Sequence, residues 1–364
     1  MEIGHVDGIV LAGTYDWKGT SLESLSPRPL LPVAQAPLIS YSLRWISAGS
    51  STRVFICLNE ASRRLRSRLS DGAALGVRIE YYEDLSPRGA AGCARDVVLR
   101  SDARTFLISD GTIVPMVDRE RLLAYHASSG AALTVVVHRD GHASDRRSPL
   151  SPAGIYVADR RVFDLVGECG FQDIKESLIP RLHQAGAPVL TYLAAGCCPR
   201  VVDARTYLTV NHWMINRVVC EHEAADGWNT VCSGGGEVLA HATAWIDPAA
   251  KLLGPILVGP GVKVKAGATI VGPASIGAES TIAEGAVVSR SVTWERCVVS
   301  ENAFLDACVL ADDVMVESGA DFFGRVVTAA GPRPRPVRMR SSPQEEVQTE
   351  LLPWTLRQPA TPPR

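Results

Sequence analysis

Two cations, Lys18 and Arg28, share one short stretch, GIVLAGTYDWKGTSLESLSPRPLLPV, in which an apolar run breaks at Gly13. A strand that ends in glycine and continues into a basic loop can bind phosphate. Glycine lets backbone N–H groups come close to phosphate oxygens, and a cation offsets their charge. The pattern is incomplete here. Tyr15 and Trp17 fill space that phosphates would need, and Asp16 adds a negative charge. Lys18 therefore reads either as an electrophile in a reaction or as a surface or ligand-contact lysine. Two more polar sites follow apolar or turn-like runs: Asp110 and Thr112 in TFLISDGT, and Arg200 with Asp203 in GCCPRVVDA. Carboxylates at strand ends can serve as helix caps or accept loop hydrogen bonds.

Elements must bring these residues together. From residue 1 to about 210 strand and helix patterns alternate. GIVLA, TRVFICL, VRIEYYED, TFLISDG and LTVVVHRD read as strands, and PLISYSLRWISAG, ASRRLRSRLSDG and RERLLAYHASSG as helices. Such alternation predicts right-handed crossovers and a mostly parallel, doubly wound sheet. Ligands then lie beyond the carboxyl ends of the strands, where Gly13, Asp110 and Thr112 fall. A last helix is expected near Leu208–Glu223.

Beyond it the period changes. Ile246, Leu252, Val258, Val264, Ile270, Ile276, Ile282 and Val288 recur every six residues. A second row, Ala250, Ile256, Val262, Ala268, Ala274, Ser280, Ala286 and Val292, is small or apolar. Neither a helix nor a simple strand has this period; a hexapeptide β-helix does. About four coils are expected. Gly259 and Gly277 read as corners that need relaxed backbone angles. The register blurs after Trp294. The domains are thus a 1–225 α/β domain, a 240–327 left-handed β-helix and a 331–364 tail, proline-rich and expected to be disordered. Within the tail, Leu351, Leu352 and Trp354 are a candidate docking segment.

Composition narrows the function. With 37 Lys and Arg against 39 Asp and Glu, the net charge of −2 gives no electrostatic reason for nucleic-acid or anionic-membrane binding. No apolar run reaches the roughly 18 residues of a membrane helix, and the first residues lack the pattern of a signal peptide. Nine cysteines without a C-x-x-C pair fit free thiols in a cytoplasmic protein.

This organisation resembles the sugar-1-phosphate nucleotidyltransferases, the NDP-sugar pyrophosphorylases that include the mannose-1-phosphate guanylyltransferases. The likeness spans residues 6 to about 327. The family signature A-G-G-x-G-T-R-L-x-P-L-T-x-x-x-P-K-P-L lies over Ala12 to Leu30 without a gap and matches at Ala12, Gly13, Leu22, Pro27, Pro29 and Leu30. SPRGAAGCARD is similar to the P-x-G-T-A-G-A segment that faces the nucleotide base, and SPAGIYV to the sugar-side N-A-G-I-Y-V. The resemblance implies nucleotide or phosphate contacts at Leu11, Ala12, Gly13, Arg28, Gly89, Ala90, Gly92 and Asp110, and sugar-side contacts at Gly154 and Arg200. It places Lys18 where the family has its catalytic Arg. It also implies that Thr112 and Arg200 stand where two metal-binding Asp residues belong. The family's sugar-side Glu and Lys have no counterpart in HRDGHASDRRSPLSPAG, where Arg146 and Arg147 are either phosphate contacts or solvated loop residues.

The expectation is a nucleotide- or NDP-sugar-binding protein with impaired catalysis and no required cofactor. It would be a regulatory or assembly subunit in a homo- or hetero-oligomer, a use to which the resemblance extends through the non-catalytic subunits of GDP-mannose pyrophosphorylase and of translation initiation factor 2B. The alternative is an active sugar-1-phosphate nucleotidyltransferase, with Lys18 as electrophile and Asp110 and Asp203 as stand-in Mg²⁺ ligands. Acyl transfer by the β-helix is a third class. It usually needs a histidine between coils, and no histidine follows His241.

Overall fold

Val6–Leu11 (β1) is a buried run that pairs in parallel with Arg53–Leu58 (β4) on one side and Thr105–Asp110 (β6) on the other. Between them, Pro32–Val33 (β2) and Ala36–Pro37 (β3) form a small hairpin. Arg78–Glu83 (β5), Leu133–Arg139 (β7), Leu150–Asp159 (β8) and Val189–Leu193 (β9) complete a seven-stranded sheet of order β5-β4-β1-β6-β8-β7-β9. Only β8 runs antiparallel to its neighbours. This computed structural model describes residues 5–13, 22, 25–48, 53–84, 86, 88–139, 149–221, 227–233 and 236–329.

The helices are Leu38–Ser47 (α1), Arg64–Leu69 (α2), Gly89–Val98 (α3), Arg119–Ser129 (α4), Ile179–Gln184 (α5) and Ala204–Cys220 (α6). α1 buries Leu38, Ile39, Leu43 and Ile46. Successive strands lie on opposite sides of β1, so the order reverses between β1 and β6. A crevice opens at such a point, beyond the strand ends. There Leu11 and Asp110 are paired in register.

α6 begins four residues before its predicted start. Asp203 caps it, accepting from the Thr206 N–H at 2.7 Å, while the Thr206 hydroxyl accepts from the Asp203 N–H at 2.9 Å. This reciprocal pairing satisfies end groups that would otherwise lack partners. The polar residues V-D-A-R-T conceal the first turn from a reading of apolar period.

Trp228–Ser233 (β10) and Gly236–His241 (β11) form an antiparallel hairpin, and β11 starts the β-helix. Fifteen short strands follow from Trp245–Ile246 to Val326–Val327, stacked in parallel ladders on three faces of a left-handed prism. The two faces that begin at Trp245–Ile246 and Lys251–Leu253 each hold five strands. There are therefore five coils rather than four. The blurred register has a simple cause. Val264 pairs with Ile282, eighteen residues on, but Ile282 pairs with Val299, seventeen on. One residue is dropped per coil, so a fixed six-residue window loses phase while the stacking continues. Both predicted inner rows are buried along their middle, from Ile256 to Val292.

The role predicted for Gly259 and Gly277 is corrected. Neither has a positive φ. A Cβ on Gly259 would come 2.6 Å from Gln35 Oε1, and one on Gly277 2.8 Å from the Thr293 carbonyl. These glycines give room for close approach, and the left-handed corners fall at residues such as Gly261, Gly267 and Gly285.

The third prism face is covered by α6. Leu239 and Leu257 pack with Tyr207, Val210 and Met214 in one buried cluster. A polar chain crosses this seam: Trp294 Nε1 donates to the Tyr207 hydroxyl at 2.9 Å, which donates to the Pro32 carbonyl at 2.6 Å. The β2–β3 turn also reaches across, with Gln35 donating to the Ile276 carbonyl at 3.0 Å. Residues Met1–Ala329 form one compact unit.

Candidate functional site

The carboxyl ends of β1, β5 and β6 carry most of the residues singled out above. Leu11, Ala12 and Gly13 leave β1, with the Leu11 carbonyl accepting from the Gly111 N–H at 2.9 Å. Arg28 opens a short 3₁₀ turn, Arg28–Leu30, and is half-buried. Among the described residues a Cβ on Gly13 would come no closer than 3.7 Å, to Asn59, so their packing does not demand glycine there.

Asp110 is the electrostatic centre. Its Oδ1 accepts from the Thr112 N–H at 2.9 Å and from the Thr112 hydroxyl at 2.7 Å. Its Oδ2 forms an ion pair with Arg200 Nη1. Arg200 Nη2 also donates to the Ala153 carbonyl at 3.3 Å. The backbone fixes this meeting. Arg200 bridges to Ile113, the Val114 N–H bonds to the Pro199 carbonyl at 2.9 Å, and the Val201 N–H bonds to the Thr112 carbonyl at 3.0 Å. Gly154, at φ +82°, leaves the space that the guanidinium fills; a Cβ there would overlap Arg200 Nη2. Arg200 is thus not an isolated cation: the carboxylate of Asp110 already neutralises it.

Asp203 is committed elsewhere, to the α6 cap, and its bonds to the Thr206 N–H and hydroxyl hold its carboxyl below the usual range. Both oxygens of Asp110 already have partners, and the one facing Arg200 is matched with a cation. The described residues therefore do not fit a divalent ion between carboxylates, since Mg²⁺ needs accessible, preferably anionic oxygen ligands.

Gly89, Ala90 and Gly92 lie in the first turn of α3. The turn meets a neighbouring segment: the Ala91 N–H donates to the Gln172 carbonyl at 2.9 Å, and the Gln172 N–H to the Arg88 carbonyl at 2.7 Å. Gly89, at φ +73°, has the Gln172 carbonyl oxygen 2.5 Å from where a Cβ would sit. Arg88 also binds the Gly167 carbonyl at 3.2 Å and crosses the α-carbon of Gly92. Both glycines thus have a packing role that the motif reading does not supply. The spacing R-G-A-A-G could have signalled it, because an arginine folding back over its own helix needs a small residue one turn on.

Tyr156 is a further residue that sequence reasoning misses. Burial pushes its hydroxyl up to about 12, Asp173 and Asp110 add to the rise, and Arg200 opposes it. Lys18 with its loop, Arg146, Arg147 and the tail with Leu351, Leu352 and Trp354 lie outside the described residues.

A protein-family model for a nucleotidyl transferase matches residues 7–146. A mannose-1-phosphate guanylyltransferase of Mycobacterium tuberculosis is 26% identical over 75% of this chain and 80% of its own length. A UTP–glucose-1-phosphate uridylyltransferase of Synechocystis is 24% identical over 76% and 81%, respectively. A glucose-1-phosphate thymidylyltransferase of Streptomyces griseus is 22% identical over 86% and 94%. The matched domain lies on the sheet that carries the crevice, and these relatives extend the likeness well beyond it. These matches support a sugar-1-phosphate nucleotidyltransferase family for the chain.

Proposed function

We propose that this protein binds a nucleotide or an NDP-sugar in the β1/β6 crevice, with catalysis impaired, and acts as a regulatory or assembly subunit. One observation carries the reading: both carboxylate oxygens of Asp110 are occupied, by Thr112 and by Arg200. Transfer of a nucleotidyl group builds charge on phosphate oxygens in the transition state. A group accelerates the step only if it stabilises that charge more than it stabilises the bound substrate. A guanidinium already paired with Asp110 supports binding of phosphate more readily than that differential. The relatives named above use mannose-1-phosphate with a guanylyl group, glucose-1-phosphate with a uridylyl group and glucose-1-phosphate with a thymidylyl group. They bring three bases to this chain as candidates and so favour none.

The test is a binding screen of GTP, UTP, dTTP and their NDP-sugars, with Mg²⁺ and with EDTA. It is paired with pyrophosphate release in the presence of mannose-1-phosphate or glucose-1-phosphate. The expected result is metal-independent binding without turnover. Robust Mg²⁺-dependent release of pyrophosphate that disappears in Lys18→Ala would establish the second reading, an active nucleotidyltransferase. That reading is favoured by the relatives, which are named as transferases and match over most of their length.

A further inference from the structure

The crevice contains a disagreement between the family and this chain's own side chains. The resemblance calls for a divalent cation held by two carboxylates. At that place the chain has one carboxylate and a guanidinium, and three independent features fit the guanidinium. Asp110 Oδ2 is paired with Arg200 while Oδ1 is bound by Thr112. Gly154 leaves a hollow that any side chain would close against Arg200. The backbone of residues 199–201 is tied to residues 112–114, directly after Asp110, by two hydrogen bonds that make the Ile113–Arg200 bridge. A flexible surface arginine would need neither the hollow nor the anchored backbone.

Arginine carries five N–H donors. Among the described residues Asp110 and the Ala153 carbonyl take one each, and 33% of the side chain remains exposed. We propose that Arg200 is the resident cation of this crevice. It stands in the space of a divalent metal, neutralises Asp110 on one edge and offers its remaining donors to the phosphate oxygens of a diphosphate-containing ligand. The ligand class rests on the binding reading above; the exclusion of metal does not. Charge is conserved by the exchange. Two carboxylates with a divalent ion sum to zero, and so do one carboxylate and one guanidinium.

The experiment is a Mn²⁺ titration of the full chain followed by electron paramagnetic resonance, which reports free Mn²⁺ directly and needs no activity. Wild type should leave the Mn²⁺ signal free. Arg200→Asp, which puts a second carboxylate beside Asp110, should take up one Mn²⁺ per chain at least about tenfold more tightly, as expected when an anionic oxygen ligand replaces a repelling cation. Adding Asp110→Asn should abolish the gain. Arg200→Ser, which frees Asp110 without adding charge, should fall between. Circular dichroism identifies which variants are folded, and the wild-type measurement stands without any of them. Wild type that binds one Mn²⁺ and loses it in Asp110→Asn would overturn the proposal. So would a folded Arg200→Asp that binds no better than wild type. With EDTA present, inorganic pyrophosphate should bind wild type about tenfold more tightly than Arg200→Ala, the worth of one charge-assisted hydrogen bond; equal affinities would overturn the phosphate contact. A wild type that leaves Mn²⁺ free and also binds no nucleotide would end the functional reading and support the exclusion of metal.

Discussion

Replacing Gly154 by alanine tests how the crevice is held. The perturbation has two parts. At φ +82° an L-residue is strained, which costs about 1–2 kcal/mol. The new methyl would also overlap Arg200 Nη2 and lie 3.2 Å from the Asp110 Cβ, so the guanidinium must leave its place. The displaced ion pair joins side chains 33% and 29% exposed, and solvent screening limits its contribution to less than about 1 kcal/mol. The sum is about 1–3 kcal/mol, a fall of a few degrees in melting temperature for a chain of this size. Thermal unfolding by circular dichroism measures it. Gly13→Ala is the control, since a Cβ there meets nothing closer than 3.7 Å among the described residues and should change the midpoint little. Gly154→Ala melting together with wild type would refute the claim that this glycine exists to seat Arg200.

Tyr207→Phe removes a hydroxyl that links the buried Trp294 indole to the Pro32 carbonyl; it should cost about 1–3 kcal/mol in urea unfolding, because the buried Trp294 N–H loses its acceptor while the Pro32 carbonyl keeps only the longer bond from Asn211 at 3.4 Å. Asp203→Ala should lose about 1 kcal/mol through the α6 cap while Asp203→Asn stays near wild type, which equilibrium denaturation can distinguish. His126 is buried between Thr134 and Asp159, and desolvation holds it below the usual histidine range even though Asp159 pulls the other way. The unfolded chain therefore binds the proton first, so this residue should make stability fall as pH drops through about 6.5, and His126→Gln should flatten the change in urea midpoint between pH 7.5 and 5.5.

How much of this is legible in the sequence depends on how far apart the interacting residues lie. The six-residue rows and the strand–helix alternation are local, and both appear where the residues predict them. The drop from eighteen to seventeen residues per coil shows in the sequence only as lost phase, since a period count cannot tell a shortened corner from the end of a repeat. Gly259 and Gly277 stand out in the sequence, but for the wrong reason. Their constraint comes from Gln35 and from the Thr293–Trp294 backbone, and only the folded chain brings those atoms near. Position alone marks the carboxyl end of β6 as a site. It does not reveal the partner of Asp110, because Arg200 lies 90 residues away and meets it only through the bridge to Ile113. The same limit hides the Gln172 carbonyl over the first turn of α3.

The exchange of a metal for an arginine need not be neutral in function even when it is neutral in charge. A divalent ion at about 2.0–2.1 Å from its oxygen ligands draws electron density from a phosphoryl group strongly, and its coordination can tighten as charge develops. A guanidinium donates hydrogen bonds at about 2.8 Å and carries its charge over a plane of three nitrogens. It recognises a resting phosphate well, and where it is already paired with Asp110 it has less charge to give as the transition state develops. Binding that is nearly uniform between ground and transition states lowers a dissociation constant without raising a rate. On the proposed reading, a crevice built on the Arg200–Asp110 pair would hold a nucleotide or NDP-sugar without turning it over. Restoring a carboxylate at position 200 should return metal affinity before it returns any turnover, because the metal needs only its ligands whereas the rate also depends on the residues around the β1 loop.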